Sequence, residues 1–490
     1  MNYFISSRSS DLKTDSAEAI ISGLAPDGGL YCPQTFSPIC DIEALASLNY
    51  IDLSAALIQH IFPDFSLEEI RSDCEKAYLH NFDTSEVTPL FDADGTYFLE
   101  LWHGPTCAFK DVALTLLPKL LKRSYAKKDI QKDIVILTAT SGDTGKAALE
   151  GFKDEEHIFI KVLYPHKMVS LMQERQMVTT GGNNTEVLAV EGNFDDCQRI
   201  VKELMEHPHN YKNLQLSSAN SINIGRLAPQ IVYYFKAYFD LCRANRISFG
   251  ESIDFVVPTG NFGDILAGYY AKCMGLPVHQ LIVASNTNNV LEDFLTKGVY
   301  DSRRPFYNTT SPSIDILVSS NLERLLYLIT QDSLKVKGYM EELKQSGSYK
   351  VDEEILKKIQ KDFVGYHASE AEVKEAIREV YETKHYLMDP HTAVAYCCYQ
   401  KHADHTHAAV ILSTASPYKF PAAVYESISN KKTEDDLFTM DRLKKLTGIA
   451  IPKPLANLRE KEIRFTEVLK KEEASSSILK KLEVMDHDHC

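Results

Sequence analysis

One recurring order constrains this chain more than any other feature: a short apolar run, a loop of small residues, then an amphipathic stretch. Strand-like runs lie at Ile134–Ala139, Ile158–Leu163, Glu186–Val190, Leu214–Ser217, Phe255–Pro258, Leu281–Ala284 and Ala408–Leu412. Helix-like stretches follow most of them, as at Asp195–Met205, Arg226–Phe239 and Asp264–Cys273. Antiparallel strands need only a tight turn between them, whereas parallel strands need a crossover, so this alternation predicts an α/β fold with mainly parallel sheets. Residues 1–90 lack the rhythm and read as a separate N-terminal unit. Residues 319–386 are helix-rich and predict a helical insertion or cover. The polar tail from Glu473 is expected to fray. At 490 residues the chain can hold two or three domains, each with its own core.

The formal net charge of -15 makes nucleic acid and anionic membranes poor partners. No apolar run reaches membrane-spanning length, and the first residues carry no signal-peptide core. The ten cysteines are scattered without a CxxC pair, which predicts free thiols and a cytoplasmic location. An anionic substrate would need a local basic or NH-rich pocket against this overall field.

Three segments carry candidate chemistry, each with loop residues at a strand–helix junction, where open α/β sheets hold ligands. In Glu100–Asp111, ELWHGPTCAFKD, Lys110 starts a predicted helix over Val112–Arg123, which Pro118 should kink. A lysine among apolar groups loses ammonium stability and becomes a usable amine nucleophile, although a surface lysine opening a helix reads the same way. In Thr138–Lys146, TATSGDTGK, Ser141, Gly142 and Thr144 place small side chains and free N–H groups at a helix start. That suits a carboxylate or phosphate, or a plain helix cap. In Pro258–Asp264, PTGNFGD, Gly260 and Gly263 allow close backbone approach before another helix. This loop matches neither a Walker loop nor GxGxxG. The His/Asp run His402–His407 lacks the spacing of a metal site and reads as a polar loop, so no metal is expected. The aromatic stripe Ile231–Phe239 reads as a core helix face.

Taken together and in this order, ELWHGPTCAFKD, SGDTGKAAL and PTGNFGD resemble the threonine synthases of the long-chain class. GLAPDGGLYCP (Gly23–Pro33), GNFDDCQ (Gly192–Gln198), NSINIGRLAPQIVYY (Asn220–Tyr234), DPHTAVA (Asp389–Ala395) and STASPYKF (Ser413–Phe420) resemble the same family. The start FISSRS departs from the family's Ser-Thr-Arg-Gly run, and Ser416 and Tyr418 stand where many relatives have a His-Pro-Ala run.

The resemblance implies a fold type II pyridoxal-phosphate (PLP) enzyme, tryptophan synthase β-like, with two α/β lobes and a small N-terminal domain. The expected division is an N-terminal domain at 1–90, a lobe at 91–225, a second lobe at 226–430 and a C-terminal segment at 431–490. Lys110 would hold the cofactor and move the substrate proton. Gly260, Asn261, Phe262, Gly263 and Asp264 would hold the cofactor phosphate, Asp143 would lie near its phenolic oxygen, and Thr414 would face its ring nitrogen. Ser141, Gly142 and Thr144 would meet the substrate carboxylate, with Arg226, Lys419 and Arg8 as candidates for the substrate phosphate. The implied reaction converts O-phospho-L-homoserine and water to L-threonine and phosphate. A phospholyase releasing a 2-oxo acid and ammonia would keep the same motifs, whereas intact Lys110, Asp143 and Thr414 argue against a third reading, a non-catalytic PLP-binding protein. Monomer and homo-oligomer are both open.

Overall fold

The computed structural model describes residues 3–140, 142–206, 211–433 and 435–488. Two large sheets organise it. The first has six strands, in the order Phe363–His367, Val278–Ser285, Ile253–Pro258, Ala409–Ser413, Thr96–Glu100 and Leu90–Ala93. All neighbours are parallel except the last pair. The second has five parallel strands, in the order Val468–Lys470, Thr185–Glu191, Ile158–Pro165, Asp133–Ala139 and Leu214–Ser217. Helices cover both sheets, so the central strands Asp133–Ala139 and Ile253–Pro258 are buried along their whole length. That two-sided burial is why these strands read as unbroken apolar runs. The α/β class with mainly parallel sheets is as expected.

Strand pairing assigns two further stretches to these sheets. Residues 90–100 form a hairpin whose inner strand pairs with Ala409–Ser413, so they belong to the six-stranded sheet. The lobe carrying the Asp133–Ala139 strand thus begins after them. The C-terminal segment is no loose tail. Val468–Lys470 pairs with Thr185–Glu191, and Lys471–Asp488 is a helix. Ala474, Ile478 and Leu482 recur every four residues, form one face, and are fully buried with Ile200 and Leu204. Asp486 then accepts the backbone N–H of Asn213 at 2.7 Å and fixes the helix end.

The N-terminal residues form a small antiparallel sheet of Phe4–Ser6, Ser9–Thr14 and Tyr31–Pro33, followed by helices Tyr50–Ile61 and Leu67–Tyr78. The helix-rich stretch contains Leu322–Thr330, Ser333–Ser346, Glu353–Gln360 and Glu370–Lys384. It also hides the edge strand Phe363–His367. The expected helix after Lys110 divides into Lys110–Leu114 and Leu117–Lys127. Pro118 sits in the first turn of the second piece, where its missing N–H costs no helical hydrogen bond. The aromatic stripe is core: Tyr233, Tyr234 and Phe235 are fully buried in helix Ile224–Arg243.

Candidate active site

The carboxyl ends of strands Thr96–Glu100, Asp133–Ala139 and Ile253–Pro258 lead into the three candidate loops, and the loops converge on Lys110. This lysine opens its helix and is 8% exposed. Its Nζ lies 4.5 Å from the centre of the Phe109 ring, 3.8 Å from Asp143 Oδ2 and 3.4 Å from Ser313 Oγ. Burial lowers its pKa to about 8; Asp143 opposes that, and Arg226 and Lys419 add to it. An amine poised there is available as a nucleophile near neutral pH.

Asp143 opens the helix Asp143–Phe152. Burial opposes its ionisation, but Lys419 and then Lys110 outweigh burial and hold the carboxyl well below the ordinary range. Lys419 Nζ lies 2.8 Å from Asp143 Oδ1 and donates to the Thr106 carbonyl at 3.0 Å. Lys419 is fully buried in this clamp. That clamp engages the ammonium group expected as a candidate for the substrate phosphate. Gln173 Nε2 donates to Asp143 Oδ1 at 3.2 Å.

Gly142 has φ 145°, a conformation that L side chains rarely adopt, and a side chain there would overlap Gln173. Its N–H and that of Gly145 both donate to Thr140 Oγ1 at 2.9 Å, which shapes the loop. Thr144 is half-buried beside it. Ser141 lies outside the described residues.

The second loop follows Pro258. Phe262 adopts the left-handed conformation and caps the helix Gly263–Cys273. A side chain on Gly260 would begin 2.7 Å from the Ser313 carbonyl, whereas one on Gly263 would meet the Asn321 side chain at 3.4 Å and Ser221 at 3.8 Å, both ordinary contacts. The Asn261 carbonyl accepts both the backbone and side-chain N–H of Asn321 at 3.0 Å. Asp264 points away from this cradle. Its Oδ1 accepts the Tyr233 hydroxyl at 2.5 Å and the Tyr234 hydroxyl at 2.9 Å. Burial raises its pKa to about 6, against the pull of those two hydroxyls. The side chain of Asp264 thus supports the loop from beneath, which leaves its backbone N–H at the helix start.

Arg226 lies in the first turn of helix Ile224–Arg243 and is 5% exposed. It donates to the Ala219 carbonyl at 3.0 Å and has no carboxylate partner among the described residues. Burial alone lowers its pKa to about 10. A buried guanidinium without a counter-charge is costly unless an anion fills its site. Arg8, by contrast, forms a two-pronged pair with Glu323 at 2.8 Å on each bond. Thr414 is 4% exposed. Its carbonyl accepts the Phe109 N–H at 2.9 Å, and its hydroxyl makes no hydrogen bond to another described residue.

Sequence reasoning missed the group that joins these loops. The turn Pro312–Ile314 places Ser313 Oγ 3.0 Å from Asp143 Oδ2. The Ser313 N–H donates to His391 Nε2 at 3.0 Å, and His391 Nδ1 lies 2.7 Å from Asp389 Oδ2. His391 stands in the quoted DPHTAVA run, the one local signal available. Ser313 lies 203 residues from Lys110 and gave none. Away from the site, Asp254, His279 and His407 bring possible ligand atoms within 4.8 Å of one another. The two imidazoles are stacked 3.9 Å apart at 11°, so one ion cannot lie in both ring planes.

A buried amine, an uncompensated guanidinium, a glycine cradle at a helix start and a free hydroxyl together fit PLP. The amine supplies a nucleophile for its aldehyde, the cradle N–H groups for its phosphate and the hydroxyl a neutral partner for its ring nitrogen, while the guanidinium leaves positive charge for a second anion. Fold and site define a PLP-dependent enzyme, and residues 83–416 match the family of pyridoxal-phosphate dependent enzymes. Residues 3–78 match the threonine synthase N terminus, and residues 392–478 the threonine synthase C-terminal family. The threonine synthase of Saccharomyces cerevisiae is 40% identical, over 91% of this chain and 93% of that protein. That of Pseudomonas aeruginosa is 38% identical, over 94% and 95%. The crystal structure of PLP-bound threonine synthase from Brucella melitensis superposes with a TM-score of 0.88 at 36% identity, covering 100% of this chain and 99% of that one. The chain belongs to the threonine synthase family, and PLP is its cofactor. Among the described residues no helix is long and apolar enough to cross a membrane.

Proposed function

We propose that the site around Lys110 converts O-phospho-L-homoserine and water to L-threonine and phosphate. The observation that carries this reading is the pairing of a depressed, buried Lys110 amine with a buried Arg226 that lacks a carboxylate partner. Such a site calls for a ligand that is both reactive toward an amine and anionic. A PLP cofactor and a phosphorylated amino acid supply both properties. The cofactor, when bound, supplies an electron sink for negative charge at the substrate Cα.

The chain's own residues do the rest. Lys110 holds the cofactor, and its amine, once free, removes and returns protons at the substrate Cα and Cβ. The backbone around Gly260–Gly263, at the start of helix Gly263–Cys273, holds the cofactor phosphate. Gly142 and Thr144, with Ser141, bind the substrate carboxylate at the start of helix Asp143–Phe152. Thr414 offers its hydroxyl to the ring nitrogen. Arg226 attracts phosphate, and its burial strengthens that attraction. Water must stay out until phosphate has left, which the enclosed position of Lys110 favours. The free described cysteines support the reducing cytoplasm as the place of action.

Treating the loaded protein with borohydride and mapping its peptides tests the lysine assignment. The account expects the reduced cofactor on Lys110. Finding it on another lysine would overturn the site.

A further inference from the structure

We infer that Ser313 is a positioning residue whose hydroxyl keeps the Lys110 amine from closing onto Asp143, and that His391 holds Ser313 in that place. The inference rests on the reading of Lys110 as the cofactor lysine and goes on to say how its amine is kept reactive.

The geometry is that of a spacer. Lys110 Nζ and Asp143 Oδ2 are 3.8 Å apart, beyond a direct hydrogen bond. Ser313 Oγ sits 3.4 Å from the first and 3.0 Å from the second. It accepts from the lysine and donates to the carboxylate, so both of its roles are used. Without it, the shortest path for a buried cation and a buried anion is direct contact. A direct pair favours the ammonium form and removes the nucleophile. The other oxygen of Asp143 is occupied by Lys419 and Gln173, so the carboxylate cannot swing away from the lysine.

Ser313 is held in turn by a fixed chain. Its N–H donates to His391 Nε2, which must then be the unprotonated nitrogen, with the ring proton on Nδ1 toward Asp389. Asp389 is fully buried and also caps its own helix through the N–H groups of His391 and Thr392. The far side of the strap is tied down as well. Asp315 accepts from Asn286, Asn288 and Thr309, and Ser319 donates to the Gly260 carbonyl at 2.7 Å. The charged groups acting on Lys110 are Asp143, Arg226, Lys419 and Asp111, and the Ser313 substitutions below change none of them.

The test reads the amine directly. In the cofactor-free, full-length chain, acylation of Lys110 by a small anhydride is followed across pH by mass spectrometry. Wild type should become half-reactive near pH 8. Ser313→Ala should raise that midpoint by about one pH unit, as direct contact with Asp143 takes over. Ser313→Thr keeps the hydroxyl and should restore the wild-type midpoint. His391→Phe removes the acceptor and should move the midpoint in the same direction as Ser313→Ala. In the loaded enzyme, Ser313→Ala should lower kcat about tenfold with KM changed less than about twofold. An unchanged midpoint in Ser313→Ala, or an equal rise in Ser313→Thr, would overturn the spacer role. A rise in Ser313→Ala with none in His391→Phe would overturn the part given to His391. The midpoint needs no substrate, so failure to form threonine would count against the proposed reaction and leave this test standing.

Discussion

The carbonyl of Ser313 lies 2.7 Å from the point where a side chain on Gly260 would begin. Backbone, not a yielding side chain, closes that space. Gly260→Ala must therefore displace either the phosphate loop or the Ser313 turn. We expect it to weaken PLP retention about tenfold or more, measured by equilibrium dialysis of the cofactor. Gly263→Ala meets nothing nearer than the Asn321 side chain at 3.4 Å and should retain PLP far better. Equal retention by both variants would remove Gly260 from the cradle.

Thr414 has a hydroxyl that bonds to no other described residue, while its carbonyl holds Phe109 beside Lys110. Thr414→Val keeps the shape and the carbonyl and removes only the hydroxyl. Folding stability should change by less than about 1 kcal/mol, since no internal hydrogen bond is lost. Turnover should fall, and the absorbance of the bound cofactor should shift. A variant with wild-type spectra and turnover would show that the hydroxyl does not face the ring nitrogen.

Asp264 gives a pH-dependent prediction. Burial raises its folded-state pKa to about 6, so the folded chain keeps a proton that the unfolded chain has already released. Its stabilising share is therefore fully present below the ordinary carboxyl range and is lost as pH rises to about 6. Asp264→Asn cannot titrate and keeps an acceptor for Tyr233 and Tyr234. Between pH 4.5 and 7.5 its unfolding free energy should gain on wild type by about 1–3 kcal/mol, measured by urea denaturation. Parallel pH profiles for the two proteins would contradict this.

The parts of this fold that were legible in the sequence are those whose signal is local. Strands such as Asp133–Ala139 are buried on both faces and announce themselves as apolar runs. The Lys110, Gly142 and Gly260 loops lie where a run gives way to a helix, and a helix start is readable from adjacent residues. What stayed hidden depends on partners far along the chain. Leu90–Ala93 and Phe363–His367 are edge strands with exposed or half-buried positions, so neither forms an apolar run. Ala474, Ile478 and Leu482 are three residues in a polar tail, and only the helix Phe194–Glu206 shows why they matter. Lys419 read as a free cation because its partner, Asp143, is distant in sequence. Ser313 carried no motif at all, yet it touches both Lys110 and Asp143.

The central claim is that this site makes threonine. It is tested most directly by supplying the PLP-loaded protein with O-phospho-L-homoserine and identifying the amino-acid product alongside the released phosphate. The account predicts L-threonine and phosphate in equal amounts, with neither formed by a Lys110→Ala variant. Phosphate released together with a 2-oxo acid and ammonia, and no threonine, would contradict it.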